Sequence, residues 1–239
     1  MQLFYTNNIH NQICHLDAEE SKHAVRVMRL RTNEPIFITD GMGNLHHCRL
    51  LTADERGCTA QIEHTDADKS KHAKMHLAVA PTKNPARTEW LVEKAVELGV
   101  ASITLLHCEH SERMFIKAAR LEKIAISAMK QSLHTWLPTI TGPVNMTDWL
   151  RQGEGFAPTT INLIAHCDVN SPRTNLIDAL KPNCDVTMLI GPEGDFSPTE
   201  VSAAIDHKFT PVSFGNSRLR TETAAVFAAA AFLFTNPNA

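Results

Sequence analysis

The feature that most constrains this chain is a change of rhythm near residue 74. Before it, short apolar runs alternate with turn residues; after it, apolar strands alternate with amphipathic helices. Repeated strand–helix units imply a parallel sheet, because joining parallel neighbours takes a crossover and a helix usually supplies it. The strands read as Leu77–Ala80, Ile103–Leu106, Ile161–Ala165, Val186–Ile190 and Val212–Phe214. The helices read as Pro85–Leu98, Lys117–Ser132, Leu176–Leu180, Thr199–His207 and an Ala-rich stretch after Thr221. Pro85 near the first helical position and Gly99 just past the end bracket the first helix. The expectation is an α/β domain over 74–239.

The preceding stretch reads differently. Pro35–Thr39 is a β-rich run entering a turn at Gly41-Met42-Gly43, and Leu50-Leu51 and Thr59–Ile62 read as further strands. One helix interrupts them, from Glu19 to about Met28, with Asp17 as its N-cap. A small β-barrel domain over 1–71 is expected, and the polar stretch Asp66–Lys71 reads as a linker.

Composition removes several classes. No apolar run approaches the roughly 18 residues that cross a bilayer, and MQLFYTNNIHNQ lacks the basic and apolar regions of a secretory signal. The expectation is a cytoplasmic protein with no membrane partner. Six cysteines occur without a CxxC pair, which argues for buried small hydrophobes over a zinc ribbon or a disulfide framework. No metal ligands are expected: His72 and His76 stand four apart in a strand-like context and read as solvated surface residues.

Charge argues against a generally RNA-coated surface. With 23 Lys+Arg against 26 Asp+Glu the net charge is -3, whereas phosphate binding favours basic proteins. Any nucleic-acid footprint is therefore local. The best local feature is Ser21–Arg31, where Lys22, His23, Arg26, Arg29 and Arg31 occur with no acid between them. It is a candidate phosphate-positioning patch; a solvated helix face is the alternative.

Two segments carry chemistry, both at strand ends, where open parallel sheets bind ligands. Ile190-Gly191-Pro192-Glu193-Gly194-Asp195-Phe196 leaves the fourth strand and meets a helix start at Ser197, Pro198 and Glu200, a capping box. The glycines allow a ligand close to the backbone. Glu193 and Asp195 would repel a phosphate, so a ligand with amine, hydroxyl or sulfonium groups suits the loop better. A turn with a cap and no ligand stays open as an alternative. The second segment, Gly215-Asn216-Ser217-Arg218-Leu219-Arg220-Thr221-Glu222-Thr223-Ala224, places two arginines between a strand end and the start of the last helix.

Together these blocks resemble the RsmE family of ribosomal RNA methyltransferases in the SPOUT superfamily. The resemblance rests on Gly191-Pro192-Glu193-Gly194 with Phe196, Ser197 and Glu200, and on Leu219-Arg220-Thr221-Glu222-Thr223-Ala224. Lys83, Arg87, Glu89, Lys94 and Glu97–Val100 agree, as do His23 and Val27-Met28-Arg29. It covers nearly the whole chain.

The resemblance implies a PUA-like N-terminal barrel, a C-terminal domain with a trefoil knot, and a homodimer. It implies S-adenosylmethionine-dependent methylation of N3 of a uridine in the decoding region of 16S ribosomal RNA, on the 30S subunit. The cofactor pocket implied is Ile190, Gly191, Pro192, Glu193, Gly194, Gly215, Leu219, Arg220, Thr221, Thr223 and Ala224, with His166 on its wall. Arg220 and Glu222 are the catalytic candidates, and Arg218 joins the RNA-binding set. Two departures stand out: the family commonly has glycine where Asp195 stands, and a Gly-Arg pair within Gln131-Ser132-Leu133-His134. Another RNA target, or a non-catalytic assembly factor, is the alternative reading.

Overall fold

The computed structural model describes residues 1–68, 73–112, 117–153, 160–168 and 172–237. It divides into two compact units, 1–70 with 126–137, and 71–125 with 138–239.

The first unit is built on a six-stranded sheet of β1 (Leu3–Tyr5), β2 (Ile9–His10), β3 (Ile13–His15), β4 (Pro35–Thr39), β5 (Asn44–Thr52) and β6 (Thr59–Ala67), in the order β1-β4-β5-β6-β3-β2. The sheet curls over Phe4, Cys14, Ile36, Ile38, Cys48, Leu50 and Ala60, which alternate inward along their strands. It is a half-barrel: β1 and β2 are its two edges, each paired with one neighbour. Asp66 and Ala67, expected in a linker, extend β6, while Lys69–Lys71 lie outside the described residues. Between β3 and β4, α1 (Ala18–Lys22) starts where Asp17 accepts from the Glu20 amide, then loosens into a π-helical turn over His23–Val27.

The second unit holds a seven-stranded sheet of β7 (Met75–Val79), β8 (Ser102–His107), β9 (Thr139–Asn145), β10 (Ile161–Ala165), β11 (Thr174–Asn175), β12 (Val186–Ile190) and β13 (Thr210–Ser213), in the order β11-β13-β10-β12-β7-β8-β9. Every pairing is parallel. Every residue of β12 is buried, as befits a central strand covered on both faces. The unit's helices are α2 (Pro85–Glu97), α4 (Met146–Gln152), α5 (Leu176–Ala179), α6 (Pro198–Asp206) and α7 (Thr221–Thr235), together with the first half of α3 (Ala118–Ser132), whose residues from Ile126 on belong to the first unit. Asn84 caps α2, and the Ser197–Glu200 capping box starts α6. In this unit sequence reasoning missed β9, β11 and α4.

Two sequence readings need correction. His76 is no solvated histidine: its ring stacks on Trp149 at 5.9 Å, hydrogen-bonds Ser102 and Thr104, and burial lowers its pKa to about 4. His72 lies outside the described residues. Of the six cysteines, Cys14, Cys48, Cys58 and Cys108 are buried as expected, but Cys167 is exposed and Cys184 half-buried.

Candidate functional site

Because β10, β12 and β13 are parallel and adjacent, their carboxyl ends open on one edge of the sheet. A cavity of about 280 Å³ lies there, near the lower end of the ligand-site range of roughly 300–1,000 Å³. The loop after β12 contributes Ile190, Gly191, Pro192, Glu193 and Asp195; the loop after β13 contributes Gly215, Arg218, Leu219 and Arg220; α7 contributes Thr221 and Ala224. His166 lines it from the end of β10. The two sequence segments, separated along the chain, are thus one wall and its neighbour.

Specific contacts set the loop after β12. Thr221 Oγ1 donates to the Gly191 carbonyl at 3.0 Å. Glu193 Oε1 accepts from the Lys83 amide at 2.9 Å, tying the loop to the residues before α2. A Cβ on Gly194 would stand 2.9 Å from His110 Cβ, so that position is closed to a side chain. Gly215 has a φ of 91°, the left-handed region that favours glycine.

Three expected site residues are not on the cavity wall. Gly194 packs on His110. Thr223 is exposed on α7. Glu222, in the first turn of α7, is directed at Arg87 of α2 with 3.6 Å between Oε1 and Nε, and its buried Oε2 has no hydrogen-bond partner among the described residues. The wall residues not anticipated as site residues include Cys167, Arg173, Asp195 and Ser217, with Ala165 and Val212–Phe214 from the strand ends.

His166 is the telling wall residue. It is 5 % exposed. Its Nδ1 accepts from the Asp168 amide at 3.3 Å, which leaves the proton on Nε2. That N–H is buried and finds no acceptor among the described residues. Burial lowers the pKa of the ring, with Asp195 opposing and Arg173 reinforcing the shift. An unpaired buried donor beside Gly-lined backbone and carboxylates fits a ligand rich in acceptors that also carries positive charge. S-adenosylmethionine meets that description.

The described residues contain no group of His, Cys, Asp and Glu arranged to hold a metal, and no helix long and apolar enough to cross a membrane. The basic patch is only partly as read. Lys22, Arg26, Arg29 and Arg31 are exposed, but His23 packs against Phe4 with ring centroids 5.5 Å apart. Arg26 is paired with Glu55 at 2.6 Å, an acid supplied by the β5–β6 connection and invisible in the local sequence.

The RNA methyltransferase domain family matches residues 69–233, and the RNA methyltransferase PUA domain family matches residues 16–63. A probable rRNA-methyltransferase from Porphyromonas gingivalis superposes with a TM-score of 0.90 and 38% identity over 99% of both chains. The chain belongs to the RsmE family of RNA methyltransferases. The family's ribosomal RNA small subunit methyltransferase E of Synechocystis is 29% identical over 86% of this chain and 67% of its own length. The RsmE of Neisseria gonorrhoeae, whose structure contains S-adenosylmethionine, has a TM-score of 0.78 and 27% identity over 98% of this chain and 97% of that one. Of the two departing segments read from the sequence, Asp195 has a φ of 66°, in the left-handed region that favours glycine. Leu133, within the other departing segment, has a φ of 61°.

Proposed function

We propose that this RsmE-family chain is an S-adenosylmethionine-dependent methyltransferase that modifies N3 of a uridine in the decoding region of 16S ribosomal RNA, on the 30S subunit and as a homodimer. The observation that carries the reading is the cavity at the ends of β10, β12 and β13, walled by the Gly191–Glu193 and Gly215–Thr221 loops in a chain of this family.

S-adenosylmethionine supplies an electrophilic methyl on a sulfonium that already bears the positive charge. Backbone groups of Ile190–Glu193 and of Leu219–Thr221 would hold and orient it, on a wall whose Ile190, Gly191, Pro192 and Thr221 are buried. Uracil N3 is an imide nitrogen whose lone pair becomes available as its proton leaves, so the reaction needs alignment and stabilisation of negative charge on the base. Arg220, at the cavity mouth immediately before α7, is placed to stabilise the uracil oxyanion or to orient an RNA phosphate. Glu222 acts one step back: paired with Arg87, it fixes the first turn of α7, and with it Arg220 and Thr221. Lys22, Arg26, Arg29 and Arg31 position RNA phosphates, with Arg218 at the mouth.

The homodimer is supported by an apolar stripe on the outer face of α7, where Phe227 and Phe234 are 42% and 86% exposed. The trefoil knot is proposed for the segment from β10 to α7, whose neighbouring strands and Thr221–Gly191 bond suit a threaded arrangement.

Mass spectrometry of 16S RNA from cells lacking the protein tests the reading. Loss of N3-methyluridine from the decoding region, restored by the wild-type chain but not by Arg220→Ala, is expected. A retained mark with another lost would redirect the substrate, and an absence of S-adenosylmethionine binding in calorimetry would favour an assembly factor.

A further inference from the structure

One peptide unit in the cavity wall is gripped from both sides. The His166 carbonyl oxygen accepts from Arg173 Nη1 at 2.7 Å, and the next amide, that of Cys167, donates to Asp195 Oδ2 at 2.8 Å. The oxygen and the nitrogen belong to the same planar peptide, whose C=O and N–H point opposite ways. A guanidinium and a carboxylate are therefore fixed at opposite edges of one plane, their bonded atoms no more than about 8 Å apart. His166, Cys167, Arg173 and Asp195 all line the cavity.

Asp195 is held with unusual firmness. Its Oδ1 accepts from the Phe196 amide at 2.9 Å, and its carbonyl lies 3.0 Å from His110 Nδ1. Its φ of 66° lies in the left-handed region, which Asp enters more readily than most residues with a β-carbon. The carboxylate oxygens keep lone pairs beyond those on the two amides, and a guanidinium has N–H donors beyond the one on His166. The neighbouring acid, Glu193, is turned to the Lys83 amide instead.

Resting on the reading that this cavity takes S-adenosylmethionine, we propose that Arg173 and Asp195 form a clamp for the α-amino-acid end of the methyl donor, Arg173 binding its carboxylate and Asp195 its ammonium. In an α-amino acid the two charged groups share one carbon and lie roughly 3 Å apart; with a charge-assisted hydrogen bond of about 2.8 Å on each side the reach is roughly 8–9 Å, enough to bridge two side chains whose peptide-bonded atoms are no more than about 8 Å apart. Charge signs match as well. The His166–Cys167 peptide acts as the spacer that sets the distance.

The test is calorimetry on the full chain with three probes: S-adenosylmethionine, S-adenosylhomocysteine, and 5′-methylthioadenosine, which keeps the nucleoside and sulfur but lacks the amino-acid end. Asp195→Asn and Arg173→Gln are each expected to weaken the first two by about tenfold or more while changing the third by less than about twofold. Asp195→Gly, which relaxes the backbone, should behave as Asp195→Asn does. Retained 5′-methylthioadenosine binding also shows that the variants are folded. The clamp is overturned if all three probes weaken equally, which is the signature of a collapsed wall, or if S-adenosylmethionine binding is unchanged. A wild-type chain that binds none of the probes sinks the cofactor reading itself, a result distinct from either.

Discussion

The hydroxyl of Thr221 donates to the carbonyl oxygen of Gly191 at 3.0 Å, so the first residue of α7 holds the loop that leaves β12. Thr221 is 5 % exposed, and a buried carbonyl deprived of its donor costs about 1–3 kcal/mol. Thr221→Val, which keeps the shape and removes the donor, is expected to weaken S-adenosylmethionine binding by about tenfold and lower the Tm by several degrees. Thr221→Ser should retain both. Calorimetry and thermal melts check the pair, and a Val variant that binds normally would detach the two loops functionally.

Gly194 and His110 make a second test of the loop. Gly194→Ala places a methyl 2.9 Å from His110 Cβ, closer than such atoms normally approach. The substitution should destabilise the chain by about 1–3 kcal/mol. Adding His110→Gly removes the obstacle and should recover much of that loss; a double variant no better than the single one would locate the strain elsewhere. Denaturant midpoints give the coupling.

His76 gives a pH dependence whose sign is fixed. Its folded pKa of about 4 lies below the ordinary 6.5, because burial against Trp149 penalises the charged ring. The unfolded chain therefore binds the proton first. The stability this group contributes is complete above about pH 6.5 and is lost as pH falls towards 4, by on the order of 3 kcal/mol. Replacing His76 with Gln should flatten the fall in denaturant midpoint over that interval; an unchanged slope would assign the acid sensitivity to other groups.

The basic patch is partly neutralised by Glu55. Glu55→Gln frees Arg26 and is expected to tighten binding of 16S RNA a few-fold and steepen its dependence on salt, whereas Arg26→Glu with Arg29→Glu should weaken binding and flatten the dependence. Filter binding across a salt series distinguishes the two directions. Affinity indifferent to both changes would remove this helix from the RNA footprint.

Most of the second unit was legible because its strands are short apolar runs between well-marked helix ends: β10 and β12 fall where their residues predict, and Ser197, Pro198 and Glu200 announce α6. β9 was not, because Gly142 and Pro143 interrupt it. Both fit an edge strand: β9 pairs only with β8, and Gly142 lies so close to the Leu105 backbone that a Cβ there would clash. The glycine loops of the cavity were legible from their position at strand ends. Arg173 was not, since nothing in Pro172-Arg173-Thr174 marks it; only the pairing of β10 with β12 brings the His166–Cys167 peptide between Arg173 and Asp195. The opening of the first sheet at β1 and β2 was equally hidden, because strand alternation fixes faces and leaves closure undetermined.

The strand order also has a consequence for synthesis on the ribosome. β10, β12 and β13 are neighbours in the sheet but are separated in the chain by α5 and α6, and the tie on Gly191 comes from the first residue of the last helix. A nascent chain that has released β12 but still holds α7 in the exit tunnel has the loop without its latch. The loop that leaves β12 therefore gains its tie only once the chain as far as Thr221 has emerged and folded back on the sheet.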